Sequence, residues 1–600
     1  MNNIKQLLDR GLNNFQKNKL EDAKLIFEDV LKIDKYNFDA LQALGIIEAQ
    51  KKNHLDANNF FYEAIKFKPN DFNINCNLGA SLLELGKFED SIYYYDIALK
   101  INGQHSPTWC FKGIALKNIQ RYQEAEDCFK KSIELDHTFE KSYFYLGSLY
   151  RTIKKYQSGL DIFHKSLNVF KSPPTLEVIY TNLSNLYLDL KDNKFGEDYS
   201  LVAEYSKKAL SINSKNYIAL NNLAMSNLFE KKYKLASEQL ENVVKINPQF
   251  APAHRNLGTL HNHLGNHNQA EKSLKYSLSI DPNDVSKNFL LSEVLLAQNK
   301  FSEAWFYYEY RWIDVGGAET KVKPKFTKPM WTPSIGYKIR LVIWAEQGLG
   351  DMILFSSILP ELLKKFDKLY LLIDHRLCQI LNESIPGINA IDFSKPITED
   401  FFDYQLPLCS LGLHFRNNLN SFNSQKPLLN IIKKNHHNKK KKFRCGVSWQ
   451  SKGGLKSDKK NIGIEALQEI FKIKDIEFFD IQYTKDNHDT LKFKKDNKID
   501  FQKPKDLDVF NDIYGLINFI DSCDFVISTS NTNAHLSASL GKPTYMLLPK
   551  EYGRLWYWDN DVNGKNLWYP SIVKFNQIKQ NDWTHPVSEL INFIQKHYLT

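Results

Sequence analysis

The 600-residue chain is poor in cysteine, with seven residues (76, 110, 128, 378, 409, 445 and 523) and no CxxC spacing among them. That scatter argues against a zinc site or a disulfide framework and fits reduced thiols. No apolar run approaches the length of a membrane-spanning helix. Residues 1–11 mix Asn, Lys, Asp and Arg with few apolar residues, so no secretory h-region is read there. A soluble cytoplasmic protein without a transmembrane segment is expected. Charge of one sign is also scarce: 79 Lys and Arg against 69 Asp and Glu leave +10. This mild surplus supports an anionic ligand only weakly, and no nucleic-acid-binding motif accompanies it. Part of it sits at 439–442, behind Lys433 and Lys434, and reads as solvated linker.

What is present is ordinary globular material, 42% hydrophobic and 25% charged, in a chain long enough for two or more domains. The first half has a period. Small residues recur every 34 positions at Gly11, Gly45, Gly79, Gly113 and Gly147, and the phase returns at Ala224, Gly258 and Ser292. Twelve residues on stand Ala23, Ala57, Ala125, Ala236, Ala270 and Ala304, and four later a large residue such as Phe27, Phe61, Phe129, Leu240 or Tyr308. Small residues let two helices approach closely, and the large one fills the gap to the next repeat. Pro69, Pro248 and Pro282 follow second helices.

This pattern resembles the tetratricopeptide repeat. Nine repeats are expected, one of them degenerate around Ser184, with insertions near Pro173 and Phe195. Asn77, Asn182, Asn222 and Asn256 each precede a contact leucine in a phase that points into the groove. An amide ladder there can pair with the backbone of an extended peptide, and it resembles the ladder of O-linked N-acetylglucosamine transferases. In an Asn-rich chain, coincidence is the competing reading. His261, His263 and His267 surround an interhelix turn and read as solvated, so no metal is assigned.

After Trp312 the period stops. Apolar segments at 339–344, 369–373, 444–449, 477–482, 525–528 and 544–548 read as strands separated by helices, which implies two opposed parallel α/β sheets. Ligands in such sheets sit beyond the carboxyl ends of strands. Three polar segments fall there: 347–351, 448–452 and 528–535. Gly348 and Gly350 let backbone amides approach an anion at a helix start. Ile353 stands where a dinucleotide fingerprint needs glycine, which disfavours a nicotinamide enzyme.

The stretch Trp-Ala-Glu-Gln-Gly-Leu-Gly-Asp at 344–351 and the stretch Asn-Thr-Asn-Ala-His-Leu-Ser-Ala-Ser-Leu-Gly-Lys-Pro at 531–543 resemble the domain shared by heptosyltransferases and bacterial repeat-fused glycosyltransferases. The Trp-rich segments at 554–558 and 568–571 favour the repeat-fused branch. The resemblance implies an all-α tetratricopeptide superhelix followed by an α/β GT-B domain of two Rossmann-like lobes. It divides the chain into repeats at 1–312, a connector at 313–338, lobes at 339–432 and 443–600, and a basic linker at 433–442.

It further implies a metal-independent, inverting transfer from a nucleotide diphosphate sugar, which is a co-substrate and not a resident cofactor. Asp351 is the implied general base, with helix capping as its structural alternative. The implied donor and diphosphate contacts are Gly348, Gly350, Ser448, Gln450, Lys452, Lys460 (or Lys459), Ser530, Asn531, Thr532 and His535. The family commonly has Asp where this chain has Ser530, which puts donor contact in question. The triplet Asp559, Asn560, Asp561 imitates a metal motif of another transferase fold and is read as a surface loop. A protein acceptor recruited by the repeats is expected. The alternatives are a non-catalytic scaffold with a degenerate transferase domain, and a transferase acting on a lipid-linked or cell-surface glycan.

Overall fold

The computed structural model describes residues 2–193, 199–282, 285–312, 324–423, 425–431, 442–451, 460–482, 488–497, 499, 501–550 and 553–599. Lys452, Lys459, most of the basic run and the first half of the connector lie outside these residues. The chain divides into two units, 1–246 and 247–600.

The first unit is helical. Its fourteen described helices run from Asn2–Gln16 to Tyr233–Ile246 and form seven consecutive pairs. Local chemistry starts several of them: Asn37, Asp71 and Asn216 accept the amides of Ala40, Ile74 and Ala219 at 3.1, 3.0 and 2.9 Å. The 34-residue glycines owe their place to packing. A Cβ at Gly45 would lie 2.3 Å from the Phe61 ring, and one at Gly147 would lie 2.3 Å from Phe163. Ser91 takes the small position where alanine is missing and donates to the Gly79 carbonyl at 2.7 Å. The degenerate repeat is a helix pair as well. Its first helix, Pro173–Asn193, has 21 residues and packs on Ser200–Ile212. Buried Ser184 and Ser206 share a hydrogen bond at 2.7 Å between those two helices.

The second unit opens with two further helix pairs, Ala251–His263 with His267–Ile280 and Val285–Ala297 with Phe301–Tyr308, followed by a 3-10 turn at Glu309–Trp312. With the seven pairs before them they make nine among the described residues. Two parallel sheets follow. The first comprises β1 (Arg340–Trp344), β2 (Lys368–Ile373), β3 (Asn389–Asp392) and β4 (Tyr404–Pro407), in the order β3-β2-β1-β4. The second comprises β5 (Phe443–Ser448), β6 (Ile476–Asp480), β7 (Phe525–Ser528), β8 (Thr544–Leu548) and β11 (Ile572–Asn576), in the order β11-β8-β7-β5-β6. A two-stranded ribbon, β9 (Asp561–Val562) with β10 (Lys565–Asn566), precedes β11. Strands β1, β2, β7 and β8 are buried almost throughout, as continuous apolar runs in a parallel sheet should be.

One apolar core runs from Leu291 and Trp305 of the last repeat, through Phe355 of the first sheet's layer, to Trp556 and Trp568. The Trp305 indole donates to the Arg416 carbonyl at 2.7 Å. The 559–561 triplet departs from its surface-loop reading. Asn560 is fully buried and donates to the Leu296 carbonyl at 2.6 Å and to Asn299 Oδ1 at 2.9 Å, while its own Oδ1 accepts the Trp568 indole at 3.1 Å. Asp559 and Asp561 pair with Arg554 and Lys574. A short polar triplet gave no sign of burial because two of the partners of Asn560, Leu296 and Asn299, lie 264 and 261 residues upstream.

Candidate functional site

Strand β1 ends at Trp344, and four residues later the helix Leu349–Ser356 begins with Gly348 as its extended cap. Asp351 falls in the first turn of that helix. Its side chain remains partly exposed. Burial pushes its pKa up to about 6. The Lys460 ammonium opposes that rise, and the carboxylate of Glu346 adds to it.

Strand β7 ends at Ser528, and the helix Thr532–Ser539 follows. Asn531 caps it, accepting the amides of Asn533 and Ala534 at 3.0 and 3.3 Å. The first turns of the two helices abut. A Cβ on Gly350 would stand 2.8 Å from two atoms of the His535 ring, so only glycine admits this approach. The His535 Nδ1 shares a hydrogen bond with the Tyr569 hydroxyl at 2.8 Å, and its ring packs among Tyr557, Trp558 and Tyr569. Burial and Lys460 bring its pKa down to about 3, so the imidazole is neutral at physiological pH.

Ser448, at the end of β5, is wholly engaged. Its hydroxyl donates to Gln482 Oε1 at 3.0 Å and accepts from Asn531 and Asn533 at 2.7 and 3.0 Å. Gln482 also accepts the amides of Trp449 and Gln450 at 2.9 and 3.0 Å. Ser530 is buried, and its hydroxyl accepts the Trp558 indole at 2.9 Å. Gly348, Gly350, Asp351, Gln450, Lys460 and Thr532 keep at least partial exposure. The implied residues thus form two layers: an inner one of Ser448, Ser530, Asn531 and His535 that joins strand ends to helix starts, and an outer one open to a ligand.

Gln482, Asn533, Trp558 and Tyr569 complete the inner layer and were not singled out in the sequence. Asn533, Trp558 and Tyr569 do lie in the quoted stretches 531–543, 554–558 and 568–571, whereas Gln482 carried only the mark of a polar residue just beyond a strand. Glu346 was also passed over, although it stands inside the 344–351 stretch. A recess of about 190 Å³ lies nearby, between the turn at 262–267 and Arg554, and Asp351 does not line it.

The four groove asparagines differ from one another. Asn77 and Asn182 are half-exposed, and Asn182 donates to the Val178 carbonyl of its own helix at 2.9 Å. Asn222 and Asn256 are each 2% exposed, and Asn222 donates to Asn185 Oδ1 at 2.7 Å.

Among the described residues no helix is long and apolar enough to cross a membrane. A model of the tetratricopeptide repeat matches residues 106–138 and 251–284, so the chain carries repeats of that kind. Its sequence is similar to Protein FlbA of Caulobacter vibrioides, 21% identical over 369 residues that cover 57% of this chain and 60% of FlbA. The chain thus matches less than two thirds of that relative. In structure it is similar to the APC/C hetero-tetramer Cut9-Hcn1, with a TM-score of 0.35 and 16% identity over 51% of this chain and 59% of the other. It is also similar to Pseudomonas aeruginosa pilF, with a TM-score of 0.30 and 17% identity over 38% of this chain and 97% of the other.

Proposed function

We propose that the chain is a glycosyltransferase of GT-B type with two Rossmann-like lobes, taking its sugar from a nucleotide diphosphate and its acceptor from a polypeptide held by the repeats. The observation that carries this reading is the meeting of two helix starts, at Gly348–Asp351 and Asn531–His535, with Lys460 beside both. Helix starts present unpaired amides and a favourable dipole to a diphosphate, and a cation adds to them. In the reaction, Asp351 takes the proton of the acceptor hydroxyl as its oxygen bonds to the anomeric carbon. The bond to the diphosphate oxygen breaks, and the leaving charge falls on the amides and Lys460.

The test is a thermal-shift titration with UDP, GDP and ADP. Saturable stabilisation by at least one of them, weakened roughly tenfold or more in Lys460→Ala, supports the site; no stabilisation by any of the three defeats it.

A second reading, a scaffold with a degenerate transferase domain, is favoured by Ser530. It stands where the resembling family has Asp, and its hydroxyl is occupied by Trp558. Nucleotide binding without turnover of any nucleotide sugar, in a chain that still captures polypeptides, would establish it.

A further inference from the structure

Repeats eight and nine meet the Trp-rich segment around a recess that the proposed transfer leaves unused. It holds about 190 Å³ and is walled by the turn at 262–267, the helix Val285–Ala297, Lys550 and the residues from Gly553 to Asp559. His267, read from the sequence as solvated, is half-buried in this wall. The volume falls below the roughly 300–1,000 Å³ of sites for drug-sized ligands, so the recess suits a single ring and not a chain or a dinucleotide.

One side of the recess is apolar, formed by Leu290, Ala297 and Trp556. Trp556 is held there edge-to-face by Trp305 and Trp568, with ring centroids 5.7 and 6.0 Å away. The other side carries donors and acceptors that the fold leaves unused. Arg554 is fixed by Asp559 and by Asn576 Oδ1, the latter at 3.0 Å, yet its Nε is buried without a hydrogen-bond partner, as is His267 Nδ1. The Asn262 carbonyl accepts the Gly265 amide at 3.1 Å, while the Asn262 side-chain amide is in no hydrogen bond among the described residues. Glu293 adds a carboxylate to this side.

Counting histidine as neutral, Lys550 and Arg554 balance Glu293 and Asp559, so an ion of either sign would meet like charges as well as opposite ones. Burial pushes the His267 pKa down, which keeps that imidazole uncharged at neutral pH. The ligand that matches is uncharged and carries groups that both donate and accept, as a hydroxyl does. A pyranose has hydroxyls at its rim and C–H groups on its face, complementary to the two sides of the recess. We propose that the recess is a carbohydrate site that takes one uncharged pyranose residue, its hydroxyls toward Asn262, Glu293, Asp559 and Arg554 and its C–H face toward Leu290 and Trp556. Asp351 does not line this recess. The site goes beyond the proposed transfer and stands whether or not the chain moves sugar.

The experiment is ligand-observed saturation-transfer NMR of the full-length chain with the methyl glycosides of glucose, galactose, mannose and N-acetylglucosamine. At least one should show saturable transfer, with a Kd on the order of millimolar, as befits a small polar ligand. Ala297→Phe, which fills the recess, should abolish that transfer. Asn262→Leu keeps the size of the side chain and removes an amide that the fold does not use. It should weaken binding roughly fivefold or more, the worth of one hydrogen bond, and it decides the matter should the phenylalanine form fail to fold. A disaccharide that ends in the preferred residue and binds as well marks the end of a glycan as the source; binding of the methyl glycoside alone marks a free sugar. Transfer to none of the glycosides overturns the proposal. So does transfer that persists undiminished in the folded variants, which places the sugar elsewhere, and so does displacement of the glycoside by inorganic phosphate, which marks an anion site.

Discussion

Gly350 and His535 meet where the first turns of two helices, one from each parallel sheet's layer, come together, and the imidazole fills the space that a side chain at 350 would need. The contact fixes the distance between the helix starts, so the geometry of any anion site between them depends on it. Gly350→Ala should destabilise the chain by about 1–3 kcal/mol, the usual cost of overpacking. Gly348→Ala is the control, since a Cβ there meets only Asp351 Oδ2 at 3.7 Å and should cost well under that amount. Urea unfolding of the two variants checks the contrast.

Asp351 can act as a base only when ionised, and its pKa is raised to about 6. Transfer should therefore rise as pH passes upward through about 6 and level off beyond it. Asp351→Asn should lower the plateau by about 10²-fold or more, within the range for a lost general base. A steady-state pH profile of both forms is the measurement. A wild-type rate that is flat between pH 5 and 8 contradicts the assignment.

The same shift has a cost in stability. The folded-state pKa lies above the unfolded value of about 3.9, so the folded state binds the proton more tightly, and stability is lost as pH rises between roughly 4 and 6. Two pKa units correspond to about 3 kcal/mol; partial exposure of the carboxylate reduces this to on the order of 1–2 kcal/mol. Asp351→Asn should accordingly be more stable than the parent at pH 7 by that amount, with the gain vanishing below pH 4. Unfolding midpoints at the two pH values decide it.

The repeats and the strands were legible because each rests on a local rule. A 34-residue recurrence of small and large residues needs no partner beyond the neighbouring repeat, and 525–528 and 544–548 coincide with β7 and β8 because buried parallel strands are continuous apolar runs. Strands β3 and β4 escaped notice, being four residues each with Asn, Asp, Tyr and Gln among them. The site was legible only in outline. Asp351 and His535 lie in recognisable stretches, but Gln482 acts through Ser448, 34 residues away, and no local period reports such a pair.

Asn560 shows how far such a pairing reaches. Its amide nitrogen donates across the seam to Leu296 and Asn299 of the last repeat, while its oxygen accepts the Trp568 indole of the Trp-rich segment. Asn560→Ala should cost about 2–4 kcal/mol, since it strands the buried Leu296 carbonyl and the Trp568 indole and leaves a small void. Asn560→Asp should cost at least as much, because a carboxylate would face that carbonyl. Chemical denaturation of the two variants provides the check.

The register of the repeats itself makes the last prediction. At five glycine positions, Gly11, Gly45, Gly79, Gly113 and Gly147, the residue sixteen places on is an aromatic ring that leaves no room for a methyl group, with Phe61 2.3 Å from an ideal Cβ on Gly45; at Gly258 the place is taken by Leu274. At Ala224 the first position already carries that methyl, and the residue sixteen on is Leu240, both fully buried. Ala224 and Leu240 thus divide between them the volume that Gly45 and Phe61 fill. Gly45→Ala alone should cost about 1–3 kcal/mol by overpacking, and Phe61→Leu alone about 1 kcal/mol or more by leaving space. Joined, the two substitutions reproduce the Ala224–Leu240 pair, and the double variant should be more stable than the sum of the single effects by at least about 1 kcal/mol. Strict additivity in that cycle would show that ring and glycine do not compete for the same volume.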